Sequence, residues 1–512
     1  MLDFRASGVL LHPTSLPSRF GIGDLGENAY QFVDFLANSD QQIWQILPIG
    51  PTGYGNSPYL SYSALAGNPL LISPAILQQQ DLLTWEDLQN LPDFPQDQVD
   101  FEGVIKMKMP LLRKASDRFK AIASDEDKEE FQRFCNRQND WLSDYALFMS
   151  LKNAHHGSGW NHWSADISAR QPQAMAEWTA KLADDIFFHK FVQYQFFAQW
   201  QNLKQYANEQ GIKLLGDIPI YVAHDSVDVW AQRQIFQLDP ETGEAALMAG
   251  VPPDYFSETG QLWGNPVYNW QELERTDFKW WIRRVEAILE YVDIVRIDHF
   301  RGLQAYWAVP HGETTAIKGT WLDAPGDEFF QRLEQQLGKL PIVAEDLGVI
   351  TPDVEALRDK FNFPGMKILQ FAFDGDRANS FLPYNYTDRN CIVYTGTHDN
   401  DTTVGWFNER SPEDQARVSD YLGCVGNDGI HWAMIRLALS SVGNTAVLPF
   451  QDILGLGTDA KMNTPSQATG NWSWRCRAEA FNDELSGRLK YLTHLYGRSP
   501  IPTNTLTSTQ PE

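Results

Sequence analysis

Eight short apolar runs recur along the chain, at residues 8–11, 43–49, 213–222, 293–300, 341–347, 366–371, 391–397 and 446–450, and each ends in polar residues. Runs of this length, rich in Val and Ile, read as strands buried on both faces, as in a parallel sheet. Between most of them, hydrophobic residues return at helical spacing. Residues 27–38 gather Ala29, Phe32, Val33 and Leu36 on one face. Residues 278–292 do the same with Trp281, Val285, Ile288 and Val292, and residues 327–338 with Phe329, Leu333 and Leu337. Thr351 followed by Pro352 has the form of an N-cap with a proline at the first helical position. Strands alternating with helices predict an α/β fold, a (β/α)8 barrel of the TIM type, with an open doubly wound sheet as the alternative.

Two connections are too long for a single helix. Residues 50–212, between the second and third strands, carry acidic, helix-like stretches at 110–120, 125–136 and 187–207 and predict a mostly helical subdomain inserted beside the barrel. Residues 223–275, between the third and fourth strands, are rich in Gly, Pro and aromatics and read as an ordered active-site loop region over the barrel mouth. One catalytic domain then spans 1–498, and the polar, proline-bearing stretch 499–512 reads as a disordered tail. Residues 21–26 make a formal G-x-G-x-x-G. It does not follow a strand directly, and Pro13 and Pro17 intervene, so a nucleotide site is a weak reading.

The net charge of −25 changes the list of partners. Such a surface repels phosphate backbones and anionic headgroups, so no nucleic acid and no membrane is expected, whereas a neutral ligand fits. No apolar stretch approaches the roughly 20 residues that span a bilayer, and the first residues do not read as a secretory leader. Cys135, Cys391, Cys424 and Cys476 are far apart and form no CxxC pair. A disulfide framework or zinc cluster is therefore not expected, and a cytoplasmic location is. The chain carries 18 Trp, 18 Tyr and 29 Phe, many in Gly/Pro-rich segments where flat ring faces suit the C–H faces of sugars. Most of them read as ordinary core.

A barrel places its chemistry at the C-terminal ends of its strands. The fourth predicted strand ends in Arg296, Asp298 and His299, and alternation puts Arg296 and Asp298 on one face. A carboxylate beside a guanidinium is held in its charged form, as a glycosyl-forming nucleophile requires, although a purely structural Arg–Asp pair has the same look. The fifth strand ends in Glu345 and Asp346, and the seventh runs into His398, Asp399 and Asp401. Three strands thus deliver acids to one rim, where like charges drive one member to hold a proton. A protonated acid opposite a charged carboxylate is the arrangement of retaining glycoside cleavage. The rival is an oxygen-ligand site for Mg²⁺ or Ca²⁺; Arg296, His398 and the loop aromatics favour sugar over a metal.

Nine motifs carry a resemblance: GVLLHPTSLP from residue 8, SPYLSYSALAGNP from 57, GDIPIYV from 216, GVPPDYFS from 250, GQLWGNP from 260, RIDHFRG from 296, AEDLG from 344, THDN from 397 and GNWSWR from 470. In this order they resemble the 4-α-glucanotransferases of glycoside hydrolase family 77, over about residues 5–477. The resemblance implies transfer of a segment of an α-1,4-glucan or maltooligosaccharide to the 4-hydroxyl of an acceptor glucose or glucan, with no cofactor. It implies that Asp298 is the nucleophile and Glu345 the general acid and then base. Asp399, helped by His398, would stabilise the transition state, Arg296 would orient Asp298, and Tyr59 would stack on the sugar being transferred. Asp217 stays open between a hydroxyl contact and a structural role, and Asp346 is expected to bond backbone. Tyr255, Phe256, Trp263, Tyr268 and Trp270 would supply an acceptor-side lid, Gln261 would also bind substrate, and Asn463 would belong to a facing rim. One departure stands in that rim: Ser466 follows Pro465 where the family pattern has Gly.

Overall fold

The computed structural model describes residues 5–253, 257–423, 425–426, 428–465, 467 and 469–500. Its strands, in chain order, are β1 (Ala6–Leu10), β2 (Ile43–Gln45), β3 (Lys213–Ile218), β4 (Leu247–Val251), β5 (Gln261–Pro266), β6 (Ile294–Ile297), β7 (Ala305–Pro310), β8 (Thr320–Asp323), β9 (Ile342–Ala344), β10 (Gly365–Ile368), β11 (Cys391–Tyr394) and β12 (Thr445–Pro449). The eight apolar runs supply β1, β2, β3, β6, β9, β10, β11 and β12. These form one parallel sheet in the order β10-β11-β12-β1-β2-β3-β6-β9. That order follows the chain around a circle, whereas a doubly wound sheet reverses direction at a switch point. The architecture is the (β/α)8 barrel.

The two end strands meet across a seam. The Ala344 N–H donates to the Pro364 carbonyl at 2.9 Å, and the Met366 N–H donates to Asp346 Oδ1 at 2.7 Å. The other Asp346 oxygen accepts from the Arg358 guanidinium, and a Cβ on Gly365 would lie 2.4 Å from that oxygen, so only glycine fits there. Asp346 therefore bonds backbone, as expected, and in doing so fastens β9 to β10. Replacing Asp346 with Ala strands a largely buried guanidinium and a backbone donor. The expected loss is about 3 kcal/mol, measured by denaturant unfolding.

Side chains alternate across the barrel wall. Leu10, Leu215, Ile294, Val343, Ile392 and Val447 fill the interior. Val9, Leu214, Val295, Ile342, Val393 and Ala446 meet the surrounding helices, among them Glu27–Asn38, Lys279–Tyr291 and Gly326–Leu337. At the base the buried Arg498 guanidinium donates to the carbonyls of Leu439, Ala6, Gly443 and Asn444 at 2.7–3.0 Å. Arg5 donates to Leu439 and Ser441 beside it.

Residues 50–212 hold the helices Phe101–Ile122, Asp125–Arg137, Asn139–Ala154, Pro172–Lys181 and Ala183–Glu209. The first starts nine residues before the stretch that the sequence marks, because Asp100 Oδ1 caps the Gly103 N–H at 3.0 Å and the helix continues through Pro110. The last leads into β3, and its Trp200 Nε1 donates to the Tyr291 carbonyl at 2.8 Å. The region 223–275 is more than a loop. It contributes β4 and β5 to an antiparallel sheet of order β5-β4-β7-β8, completed by two strands from beyond β6. In the glycine-rich turn at 21–26, Asp24 accepts from the Gly26 N–H and the Ser18 hydroxyl, both at 2.8 Å. The Asp24 carboxyl also lies 4.0 Å from the buried Lys108 ammonium, so the turn is welded to the inserted helix Phe101–Ile122.

Candidate active site

Register brings the two principal acids together. Ile297 pairs with Ala344, so Asp298 and Glu345 leave β6 and β9 as neighbours, at the spacing of adjacent strands, about 5 Å. The Glu345 N–H donates to the Ile297 carbonyl at 3.1 Å, and the Phe300 N–H donates to the Glu345 carbonyl at 3.1 Å. His299, between them, takes a left-handed conformation (φ 52°) that turns its N–H onto Glu345 Oε2 at 2.6 Å; Leu347 N–H reaches Oε1 at 2.9 Å. Burial, then the Asp298 charge, push the Glu345 carboxyl up to about 7, against Arg296 and those two N–H groups.

Behind this pair, Arg296 bridges two carboxylates. Its Nη2 donates to Asp298 Oδ1 at 2.9 Å and its Nη1 to Asp217 Oδ2 at 2.6 Å. Burial works against the guanidinium charge, but Asp217 and Asp298 more than offset it. Asp217 also accepts from the Tyr59 hydroxyl at 2.8 Å, with its side chain fully buried. Burial pushes its carboxyl up. Both bonds fall on Oδ2, while Oδ1 is buried without a hydrogen-bond partner, so the alternative that the sequence left open stays open.

The third acid stands at the mouth. Asp399 Oδ2 lies 3.4 Å from His398 Nε2, and its Oδ1 accepts from Asn463 Nδ2 at 2.7 Å. Burial alone would raise the Asp399 carboxyl and lower the His398 imidazole; their mutual attraction reverses both, and the Asn463 bond helps hold the acid well below the usual carboxylate range. Tyr59 stacks on the His398 ring at 4.9 Å, and Trp472 lies tilted against both rings at 5.8 and 5.9 Å. Among the described residues no group of three or more His, Cys, Asp or Glu side chains could hold a metal ion.

Eight of the sequence-marked residues thus share one network: Asp217, Arg296, Asp298, Glu345, Tyr59, His398, Asp399 and Asn463. Trp263 joins from β5, its ring edge-on to His299 at 4.9 Å and its Nε1 donating to Gln261 Oε1 at 3.2 Å. Tyr255, Phe256 and Ser466 lie outside the described residues. Tyr268 and Trp270 need correction as lid residues. They are 1% and 8% exposed, and the Tyr268 hydroxyl donates to the Ile220 carbonyl at 2.7 Å, so their ring faces are spent on packing. Sequence reasoning gave no role to His299, Trp472 or Arg301. A left-handed residue that aims an N–H at an acid leaves no compositional trace.

Arg301 grips the loop that carries Glu345. Its guanidinium donates to the Val349 carbonyl and lies 3.9 Å over the Trp321 ring of β8, tying the acid's loop to the antiparallel sheet. Replacing Arg301 with Ala is expected to lower kcat about tenfold with little change in KM, and Lys, which can still donate and sit over the ring, should restore part of it. Steady-state kinetics on maltotriose read the split.

A closed barrel with two acids on neighbouring strand ends, a third at the mouth and aromatic side chains around them defines a carbohydrate-active (β/α)8 enzyme. The 4-alpha-glucanotransferase family matches this chain over residues 11–480, and the chain belongs to that family. It is 60% identical over 499 residues to a 4-alpha-glucanotransferase of Synechocystis sp., covering 97% of this chain and 99% of the relative. To that of Thermus thermophilus it is 49% identical over 492 residues, covering 95% and 97%. The solved amylomaltase from Streptococcus agalactiae, in complex with acarbose, superposes with a TM-score of 0.94 at 40% identity, over 97% of this chain and 100% of that one.

Proposed function

We propose that the protein cuts an α-1,4-glucan and moves the freed segment to the 4-hydroxyl of a second glucan or maltooligosaccharide, by double displacement at one anomeric carbon. Asp298 forms the bond to C1 as the C1–O bond breaks, and Glu345 gives its proton to the departing 4-oxygen. The acceptor 4-hydroxyl then attacks C1, Asp298 leaves, and Glu345 takes up the acceptor's proton. Asp399 and His398 bind hydroxyls of the distorted sugar, Asn463 holds Asp399, and Tyr59 packs on the ring. Gln261 and Trp263 bind the acceptor, and Tyr255 and Phe256 are assigned the same role from the sequence. The balance needs no cofactor.

The observation that carries this reading is the side-by-side exit of Asp298 and Glu345, with the second acid raised to about 7 so that a proton is available near neutrality. The names of the relatives support transfer over hydrolysis. The net charge of −25 supports a neutral ligand over nucleic acid or a membrane surface. Among the described residues no helix is long and apolar enough to cross a membrane, and Cys135, Cys391 and Cys476 are buried free thiols, which supports a reducing, cytoplasmic setting.

Maltotriose with product sizing tests the proposal. Glucose together with chains longer than three units is the expected result. Glucose and maltose alone would leave a hydrolase, and no turnover would leave a binding protein.

A further inference from the structure

Exposed large aromatics are few among the described residues: Trp85, Phe371, Tyr384, Tyr421 and Tyr491. Three of these five sit on the two segments that leave the C-terminal ends of neighbouring strands, the β10–β11 connection and the helix Pro412–Leu422 after β11. That is the rim that carries Glu345 and Asp399. Tyr384 and Tyr421 stand side by side, 61% and 38% exposed, with ring centroids 6.3 Å apart and planes tilted by 41°.

Each ring is fixed from behind. The Tyr384 hydroxyl donates to the Arg377 carbonyl at 3.2 Å, and Asn385 Nδ2 braces the same turn on the carbonyls of Arg377 and Asn379 at 2.8 and 2.9 Å. Tyr421 packs edge-on against Phe373 at 5.3 Å, and Phe373 rests on Trp406 at 5.9 Å. Exposed aromatics ordinarily lose rotamer freedom when they bind; two that are already held while still partly open to solvent lose little. Their surroundings are charged rather than apolar. Asp374, Asp376 and Arg377 lie in the adjoining loop, and Arg417 reaches within 3.0 Å of a Cβ built on Gly375. A protein partner wants a broad contiguous apolar patch. Two isolated flat rings in a polar frame suit a neutral sugar chain, which stacks its C–H faces and leaves its hydroxyls to water.

We propose that Tyr384 and Tyr421 form a second α-glucan-binding platform on the catalytic rim, outside the cleft, which holds a remote stretch of a long chain. The inference rests on the glucan reading of the cleft and extends it. Gln370 Nε2 donates to the Asp401 carbonyl at 2.8 Å, which joins the platform's connection to the Asp399 loop. A polymer held at both places gains by effective concentration, whereas a trisaccharide cannot span them.

The test is electrophoresis in native gels containing glycogen, with the Asp298→Asn protein so that no polymer is consumed. Glycogen should retard it, and adding Tyr384→Ala and Tyr421→Ala should weaken the retardation about tenfold on the scale of glycogen concentration. In the otherwise wild-type enzyme the same pair should leave kcat/KM on maltotriose unchanged and raise KM for long amylose several-fold. Tyr384→Ala alone removes only an exposed ring and serves if the double variant misfolds. Unaltered retardation, or equal losses on maltotriose and amylose, would overturn the platform. Failure of the wild type to disproportionate maltotriose would strike the glucanotransferase reading instead, so the two failures are distinguishable.

Discussion

Asp298→Asn is expected to lower kcat/KM on maltotriose by on the order of 10⁴-fold or more while the protein stays folded. The amide keeps the size of the carboxylate and can still accept from Arg296 through its oxygen, now at 2.9 Å from the guanidinium. It cannot supply the anionic oxygen that bonds C1. The side chain is 31% exposed, so the substitution leaves no new cavity and little buried polarity unmet. Circular dichroism and the thermal midpoint should therefore resemble wild type, and the whole loss should appear in the rate. Retention of more than a few per cent of activity would remove Asp298 from the chemistry and the covalent intermediate with it.

Glu345→Gln should show two effects of opposite character. On maltotriose the rate should fall by about 10³–10⁴-fold, because an amide cannot protonate the leaving oxygen. With α-glucosyl fluoride, whose leaving group needs little protonation, formation of the glycosyl-enzyme should survive far better. Wild-type kcat/KM should decline as pH rises through about 7, where the acid loses its proton. Stability carries the second effect. The folded pKa of Glu345 lies above its ordinary value of 4.5, so between about 4.5 and 7 the native state keeps a proton that the unfolded chain has released. Its contribution is full below the unfolded value and is lost as pH rises through the folded one, by about 3 kcal/mol in all. Denaturant unfolding at pH 5 and pH 8 should reveal this loss in the wild type and not in Glu345→Gln. An equal pH dependence in both would mean that Glu345 is not the buried proton holder.

The barrel was legible because its strands are buried on both faces. Apolar runs such as 391–397 and 446–450 have no reason to exist on a half-exposed sheet, and all eight became strands. Their lengths were overread at the catalytic end. The run at 341–347 yields only Ile342–Ala344 as ladder, since Glu345 and Asp346 leave the sheet to do other work. The antiparallel sheet stayed hidden for the opposite reason. Its strands LMAGV and QLWGNP are only partly buried and carry Gly and Pro, so neither a continuous nor an alternating pattern marks them. The acids and Arg296 could be marked from their place at strand ends. The Asn463–Asp399 bond could not, because 64 residues separate partners whose meeting depends on the rim's closed circle.

Arg498 and Arg5 anchor to carbonyls at the start of β1, before β12 and at the end of the helix Ile430–Ser440, on the floor of the barrel and away from the acids. A linker or immobilising surface attached through either flank would thus face away from the cleft, and an enzyme tethered there should keep access to polymers far larger than itself. Attachment through the rim loops would shade the same opening.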